Sequence, residues 1–527
     1  MGGGLLQLVA YGAQDAYISG NPHITFWKVQ YKRHTNFAME AFRVNFTGAP
    51  QYGQRVVAVV NRNADLMYKT YLEVQLPDTQ TVDVKWTAAY ERRLGYQLLK
   101  KIEVEIGGQI IDTHYGEWLF LWENLTSNFD NSVKLDSMTG GYLGGTETTA
   151  ISCGGRPAIL YIPLQFWFCR NPGLALPLIA LQYHEVRINV TLSPATDLVT
   201  ARTPGTTTVS AAAALLPQLK DMALYIDYIY LDVDERRRFA QQSHEYLIDQ
   251  LQFGLQQTLT TASARIDLTL NHPVKELVWV FQDARKTDCG SDLTKNMGFT
   301  QPFSYDDIVN RCRLQINGQD RFDERYGDYF WRVQPYQHHT GGAFWPMRAQ
   351  VTAQTAQVVT LTSGVTVSGD VMTVATGAGG VPTTTAPFII EGATVSTSNG
   401  AVFAPGTIIS ALGPGTNGGV GTYNLSEPVL VNGAVSVNVL ITLPNMNYTP
   451  HENPINVYSF ALQPEEHQPS GTCNFSRIDT TTLVFDSITT SGLAKPTKTT
   501  PFNFRIYAVN YNIFRVMSGM GGLAYSN

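Results

Sequence analysis

The sequence predicts an all-β protein: two related β-sandwiches in tandem, with a further small β-domain inserted in the second. Three observations lead there. A patterned stretch occurs twice at a fixed offset. Strands and turns alternate along most of the chain. One long, charge-poor stretch breaks into the second copy.

The repeat comes first. Residues 100–109 read K-K-I-E-V-E-I-G-G-Q and residues 310–319 read N-R-C-R-L-Q-I-N-G-Q. Ile102, Val104 and Ile106 alternate with polar neighbours, as do Cys312, Leu314 and Ile316. That period of two marks a half-buried strand. Each copy then meets a dipeptide that tolerates positive φ, Gly107-Gly108 or Asn317-Gly318. After a slip of one residue both continue as Asp-x-x-Tyr-Gly-acidic-aromatic. The residues are Asp112, Tyr115, Gly116, Glu117 and Trp118 against Asp323, Tyr326, Gly327, Asp328 and Tyr329. Upstream, residues 55–61 match 265–271 at the same 210-residue offset, with Val56, Ala58, Val60 and Ile266, Leu268, Leu270 inward. Strands draw on few residue types, so one match could be chance. Two at one spacing point to a duplicated β-domain.

Length and composition set the frame. A chain of 527 residues suggests two to four domains. Charged residues make up only 15%, against 45 Gly and 26 Pro, which suits a strand- and loop-rich chain that hides surface against partners. The net charge of −6 argues against coating nucleic acid. Five scattered cysteines without C-x-x-C offer no zinc site or disulfide framework and fit a reducing compartment. The first residues lack the basic and apolar regions of a leader, position 6 is Leu6 where a myristoylation signal wants Ser or Thr, and no apolar run reaches a membrane span. The expectation is synthesis in cytosol.

In chain order, residues 1–23 read as an N-terminal arm with a helical turn around 5–10, whose Leu5, Leu6, Leu8 and Val9 favour docking on neighbours over fraying. The first sandwich spans 24–231, with strands at 42–46, 55–61, 71–76, 101–106, 159–168, 186–192 and 223–231. A helical patch at 116–124 carries Trp118, Phe120 and Trp122, and 193–214 reads as a nearly uncharged surface loop. Residues 232–249 form an interdomain linker with a short helix. Its Arg236, Arg237 and Arg238 are expected to pair with Asp232, Asp234, Glu235 or neighbouring subunits rather than with phosphate. The second sandwich takes 250–348 and 444–517, with strands at 264–270, 276–282, 311–316, 456–462, 481–485 and 502–516; 518–527 is a C-terminal tail. Between its parts, 349–443 holds Asp370, Glu391 and Glu427 and no Lys or Arg. Its β-branched runs, broken by Gly turns and clearest at 407–411, predict an inserted β-rich domain that projects from a surface loop.

Signatures of chemistry are sparse. Gly413, Gly415 and Gly418 match G-x-G-x-x-G but lead into strand and turn residues instead of a helix, so the turn reading wins. His338 and His339 are adjacent, and on a strand they would point apart rather than share a metal. His23, His34, His114 and His184 carry no spacing signal. Sequons begin at Asn45, Asn124, Asn189, Asn424, Asn447 and Asn474; without a secretory signal they read as chance, Asn424 being the most interesting for its place in the insert. No residues are assigned to catalysis, cofactor binding or a metal, and no cofactor is expected.

Several long motifs resemble the major capsid proteins of nucleocytoplasmic large DNA viruses, most closely the algal and giant-virus members. They are G-G-G-L-L-Q-L-V-A-Y-G-A-Q-D at 2–15, G-N-P-H-I-T-F at 20–26, Y-K-R-H-T-N-F at 31–37, F-W-F-C-R-N-P-G at 166–173, Q-P-S-G-T-C-N-F-S-R-I-D at 468–479 and M-S-G-M-G-G-L-A-Y-S-N at 517–527. The likeness covers nearly everything outside 349–443. It implies a double jelly roll of two eight-stranded β-sandwiches, a homotrimer of nearly hexagonal outline, and capsomers that tile an icosahedral virion shell assembled in host cytoplasm. It also implies contacts with neighbouring capsomers, with minor capsid proteins through an inward N-terminal arm, and with an internal membrane beneath the shell, and no direct contact with nucleic acid. The departure is the insert, since members often run quickly from the Gln-His-His-Thr region to the strand before Gln468. Its position implies an outward cap.

The leading function is therefore structural, without turnover. The alternative is a virion surface adhesion protein acting through the insert, for which Phe388, Phe403 and Tyr423 are few aromatics. An enzyme on a β-sandwich, such as a glycosidase, would need an acid pair that the sequence does not display.

Overall fold

The computed structural model describes residues 3–76, 87–90, 93–140, 159–195, 198–202, 209–211, 219–261, 263–283, 305, 308–341, 358–361, 365–368, 370–375, 394–397, 409–412, 421–425, 433–434, 439–442, 454–488 and 502–525. The alternating stretches fold as strands. The first sandwich contains β1 (Phe37–Asn45), β2 (Arg55–Val59), β3 (Leu66–Gln75), β4 (Leu99–Ile106), β5 (Gln109–His114), β6 (Ile159–Pro163), β7 (Val186–Leu192) and β8 (Asp221–Leu231). The second contains β9 (His244–Leu259), β10 (Ala264–Asp267), β11 (Pro273–Asp283), β12 (Val309–Ile316), β13 (Gln319–Asp320), β14 (Asn456–Ser459), β15 (Thr481–Ile488) and β16 (Phe502–Met517).

The two sets pair in one pattern. In the first sandwich the sheets run β1-β8-β3-β6 and β2-β7-β4-β5; in the second they run β9-β16-β11-β14 and β10-β15-β12-β13. Each strand of one set thus has a counterpart eight strands later, and the chain is a double jelly roll. The repeat marks equivalent hairpins. Ile106 pairs with Gln109 across Gly107-Gly108, and Ile316 with Gln319 across Asn317-Gly318. Both turn residues have positive φ in each copy, 59° and 84° in one and 49° and 78° in the other, as a two-residue hairpin requires.

The repeated glycine has a steric cause. A Cβ on Gly116 would lie 2.4 Å from the Leu99 carbonyl oxygen, and one on Gly327 would lie 2.0 Å from that of Val309. Leu99 and Val309 are the first residues of the equivalent strands β4 and β12. Each glycine lets the chain cross its own strand closely before turning into a helix: Gly116–Thr126 in the first roll, Tyr329–Val333 and Gln334–His338 in the second.

Ala58, Leu72, Ile102, Val104 and Ile188 fill the first core; Leu277, Trp279, Phe281, Phe485 and Phe504 fill the second. The cores differ at one point. The first continues beyond its own roll to Val278, Val280, Tyr507 and Val509, which lie on the opposite face of the second roll's sheet β9-β16-β11-β14.

Several readings shift. The 193–214 loop carries strands Val199–Arg202 and Val209–Ala211, which form a sheet with Thr87–Tyr90; its Thr and Val residues suit strands even without a visible alternation. The run expected as one strand at 159–168 ends at Pro163 and becomes helix at Trp167–Arg170. The linker helix is Val233–Gln241, capped by the Asp232 carboxylate, but β9 already begins at His244, so the end of the linker belongs to the second roll. Within the tail, Met520–Leu523 folds back as a strand on β16. Inside 349–443, Val358–Leu361 and Thr394–Thr397 flank Val439–Thr442 in one sheet. A second sheet runs Ile409–Leu412, Gly421–Leu425, Val371–Val374, Val365–Ser368, Gly433–Ala434.

Candidate assembly interface

The most elaborate polar arrangement joins the two rolls. Gly116 sets the helix Gly116–Thr126 against the outer face of sheet β9-β16-β11-β14, where Glu117 meets β16. Arg505 donates from Nε to Glu117 Oε2 at 2.7 Å and from Nη2 to Oε1 at 2.6 Å. Tyr507 Oη donates to Oε2 at 2.5 Å and Tyr305 Oη to Oε1 at 3.1 Å. Burial opposes the Arg505 charge, but the Glu117 carboxylate outweighs it and raises the guanidinium above its ordinary range. Burial, and then Glu117, hold both tyrosines well above theirs. Trp118 packs on Tyr507 at 5.5 Å between ring centroids, and Tyr115 packs on Phe253 at 5.3 Å.

A second group lies alongside. Asp112, the repeat's first acid, accepts the Leu251 amide at 3.1 Å, and Gln250 Nε2 donates to the Ile111 carbonyl at 2.5 Å. The edge of the first roll is thereby fixed to β9. Asp249 lies 2.9 Å from the Lys275 ammonium and 3.5 Å from Arg170, which stacks over Trp122 at 4.1 Å. Burial lowers the Arg170 pKa, with Asp249 acting against it. Unpairing one partner of a buried ion pair is expensive, typically about 3–5 kcal/mol, so the rolls are locked in one register.

The third group contains the histidines. They end the helix Gln334–His338 and part there: His338 contacts the Leu462 carbonyl at 3.0 Å, while the buried His339 ring lies 3.1 Å from Glu276 and 2.9 Å from Glu465. Burial disfavours the imidazolium, yet the two carboxylates prevail and raise His339 to about 9. The Thr340 amide donates to Glu465 at 2.9 Å and the Gly341 amide to Leu125 O at 2.8 Å, which ties this corner to the first roll's helix. The pair is a structural clasp, and no group of three His, Cys, Asp or Glu suited to a metal occurs among the described residues.

Other predicted residues disperse. Arg236 pairs with Asp65 of the first roll at 2.9 Å, not with its helix neighbours, while Arg238 lies 3.5 Å from Glu235. Asn124 and Asn189 are buried, which removes them as glycan acceptors; Asn45, Asn424 and Asn474 are exposed. Gly413, Gly415, Gly418, Asn447, Phe388 and Phe403 lie outside the described residues. Sequence reasoning missed the joint. Its signal was Lys275-Glu276 inside an apolar strand, since charges buried there need partners from neighbouring elements.

The joint leaves matching surfaces open. The first roll's sheet β1-β8-β3-β6 presents half-buried Tyr71, Tyr161 and Tyr225, with Tyr71 stacked on Tyr225 at 5.2 Å. On the second roll's edge, the counterparts of Tyr115 and Glu117 are exposed: Tyr326 at 62%, and Asp328 on Arg332 at 3.1 Å.

Comparisons with known proteins agree with this architecture. Residues 25–232 match the family described as major capsid protein N-terminus, and residues 235–346 and 437–522 match large eukaryotic DNA virus major capsid protein. A major capsid protein of Pyramimonas orientalis virus is 40% identical over all of both chains, and that of Paramecium bursaria Chlorella virus 1 is 32% identical over all of both. A solved structure described as PBCV-1 VP54 fitted into a reconstruction of the virophage Sputnik superposes with a TM-score of 0.61 at 30% identity, covering 95% of this chain and 100% of the other. The chain belongs to the major capsid proteins of large eukaryotic DNA viruses.

Proposed function

We propose that this structural capsid protein closes into a homotrimer by repeating between subunits the contact that joins its own two rolls. The observation that carries the reading is an asymmetry. The edge of the first roll is buried on the sheet of the second, while the same edge of the second roll and the same sheet of the first stay open. A second copy fits both. Tyr326, Asp328 and Tyr336 of one subunit would lie on Tyr71, Tyr161 and Tyr225 of the next. A head-to-tail contact of this kind closes into a ring when its rotation allows, and three two-roll chains give six similar sides. Such a capsomer packs hexagonally into an icosahedral shell, with neighbouring capsomers at its rim and minor capsid proteins and a membrane beneath. Assembly belongs to the host cytoplasm.

The insert is read as an outward cap. The family match passes from residue 346 to 437, and the described strands within 349–443 pair with one another. Electron microscopy of the purified protein tests the assembly: six-lobed trimers are expected, and monomers under all conditions overturn it. Deleting residues 349–443 tests the cap. Trimers that form with a flat top support it, and failed assembly gives the segment a role in subunit contact instead.

A further inference from the structure

We propose that the N-terminal arm is a membrane-interface anchor, with residues 24–34 seated in the headgroup region of an anionic bilayer. The inference deepens the shell reading, on which it rests for the bilayer's place beneath the capsomer.

Among the described residues, the apolar side chains of the arm stay exposed. Ile24, Phe26, Trp27, Val29 and Tyr31 are 68–95% exposed. The described hydrogen bonds of the arm stay local, such as Gly12 N to Asp15 and His34 to the Thr35 carbonyl. Pairing to the body begins at Phe37 on β1. So large an exposed apolar surface, confined to one segment, marks an interaction site.

Its chemistry selects the occupant. Residues 16–39 contain Lys28, Lys32 and Arg33 and no Asp or Glu, in a chain of net charge −6. The cations are interleaved with Trp27 and Tyr31, the aromatic types that settle at the membrane–water boundary. A groove that takes a strand or a helix reads side chains at a period of two or 3.6. Residues 28–36 form neither. A bilayer interface has no such requirement: it takes aromatic rings at headgroup depth and attracts cations in any order. Residues 24–36, extended at about 3.3 Å each, reach roughly 40 Å from the roll, enough to leave its surface. Three arms on one capsomer would act together, so weak single anchors give firm attachment.

The test is flotation of purified capsomers with vesicles of phosphatidylcholine alone or mixed with phosphatidylserine. Wild-type protein is expected to float with the mixed vesicles and to remain below with the neutral ones. The triple variant Lys28→Ser, Lys32→Ser, Arg33→Ser should lose about a hundredfold in partitioning for each arm, by the usual contribution of each cation near an anionic surface. The double variant Phe26→Ser, Trp27→Ser should fall comparably. Brominated lipids should quench part of the wild-type tryptophan emission, and this part should vanish in Trp27→Phe. Wild-type capsomers that stay below with anionic vesicles overturn the proposal. So do variants that float like wild type, or that instead lose contact between capsomers. Micrographs of the same samples separate the two ideas: well-formed trimers that never float refute the anchor alone, whereas floating protein that never forms trimers refutes the assembly alone.

Discussion

The sheets β1-β8-β3-β6 and β9-β16-β11-β14 have one strand order and opposite surroundings. In β11 every residue from Val274 to Gln282 is at most 1% exposed, because the second roll's core covers one face and the first roll's helix covers the other. In its counterpart β3, Leu72 and Val74 are buried while Tyr71, Glu73 and Gln75 alternate as half-exposed. Duplication supplied the same element twice, and the side chains record which copy is covered within the chain. The charges follow. Lys275 and Glu276 on β11 are buried beneath the joint and pair with Asp249 and His339 of their own roll, whereas Glu117 and Asp328, equivalent by the repeat, meet Arg505 of the other roll and Arg332 of the same helix.

The sharpest way to break this comparison is to truncate the two equivalent acids. Glu117→Ala leaves Arg505 buried without its carboxylate and should cost about 3–5 kcal/mol. Asp328→Ala removes an exposed pair four residues apart on a helix and should change stability of the isolated subunit by about 0.5 kcal/mol or less. Urea titration of tryptophan fluorescence would show the two shifts, and equal losses would mean that the joint is no different from a surface.

The open face yields the next largest effect, and in assembly rather than folding. Tyr225→Asp places a charge on the aromatic cluster of the first roll. The subunit should keep its fold, with a midpoint near wild type, while the trimer weakens by about thirtyfold or more, as for a buried aromatic anchor. Light scattering across a dilution series measures it. Unchanged trimers would show that this face lies outside the contact.

The clasp adds a pH dependence. His339 is raised to about 9 by Glu276 and Glu465, with burial opposing, so its folded pKa exceeds its unfolded value. The stability it contributes is complete below about pH 6.5 and is lost as pH rises through about 9, on the order of 3 kcal/mol. His339→Gln should be less stable than wild type at neutral pH and should flatten the loss between pH 7 and 10. A wild-type curve that is already flat there would separate His339 from the joint.

Much of this was legible because it is local. The strand at residues 101–106, the turn residues, the helix at Gly116 and the linker helix follow from period, positive-φ residues and capping. The joint was not. Glu117 and Arg505 are 388 positions apart, and nothing in either neighbourhood names the other. The strands Val199–Arg202 and Val209–Ala211 also escaped notice, since small Ala and Thr side chains give no contrast between two faces. Arg236 showed the same limit: its sequence neighbours are acidic, yet it reaches back to the buried Asp65, which also accepts the Leu231 amide at 2.9 Å.

The smallest effect tests what the copies share. Gly108 and Gly318 occupy the second turn position of equivalent hairpins, at φ of 84° and 78°, and a Cβ at either would meet nothing within 4 Å. No contact distinguishes them, so Ala should cost only the strain of positive φ, about 1 kcal/mol at each site. The neighbouring Gly107 differs, because a Cβ there would lie 2.3 Å from the His184 ring, and Ala should cost more. Thermal melts of the three variants check this ranking. Equal, small losses at 108 and 318 would place the likeness of the rolls in backbone geometry, and a large difference between them would mean that surroundings reach even into the turn.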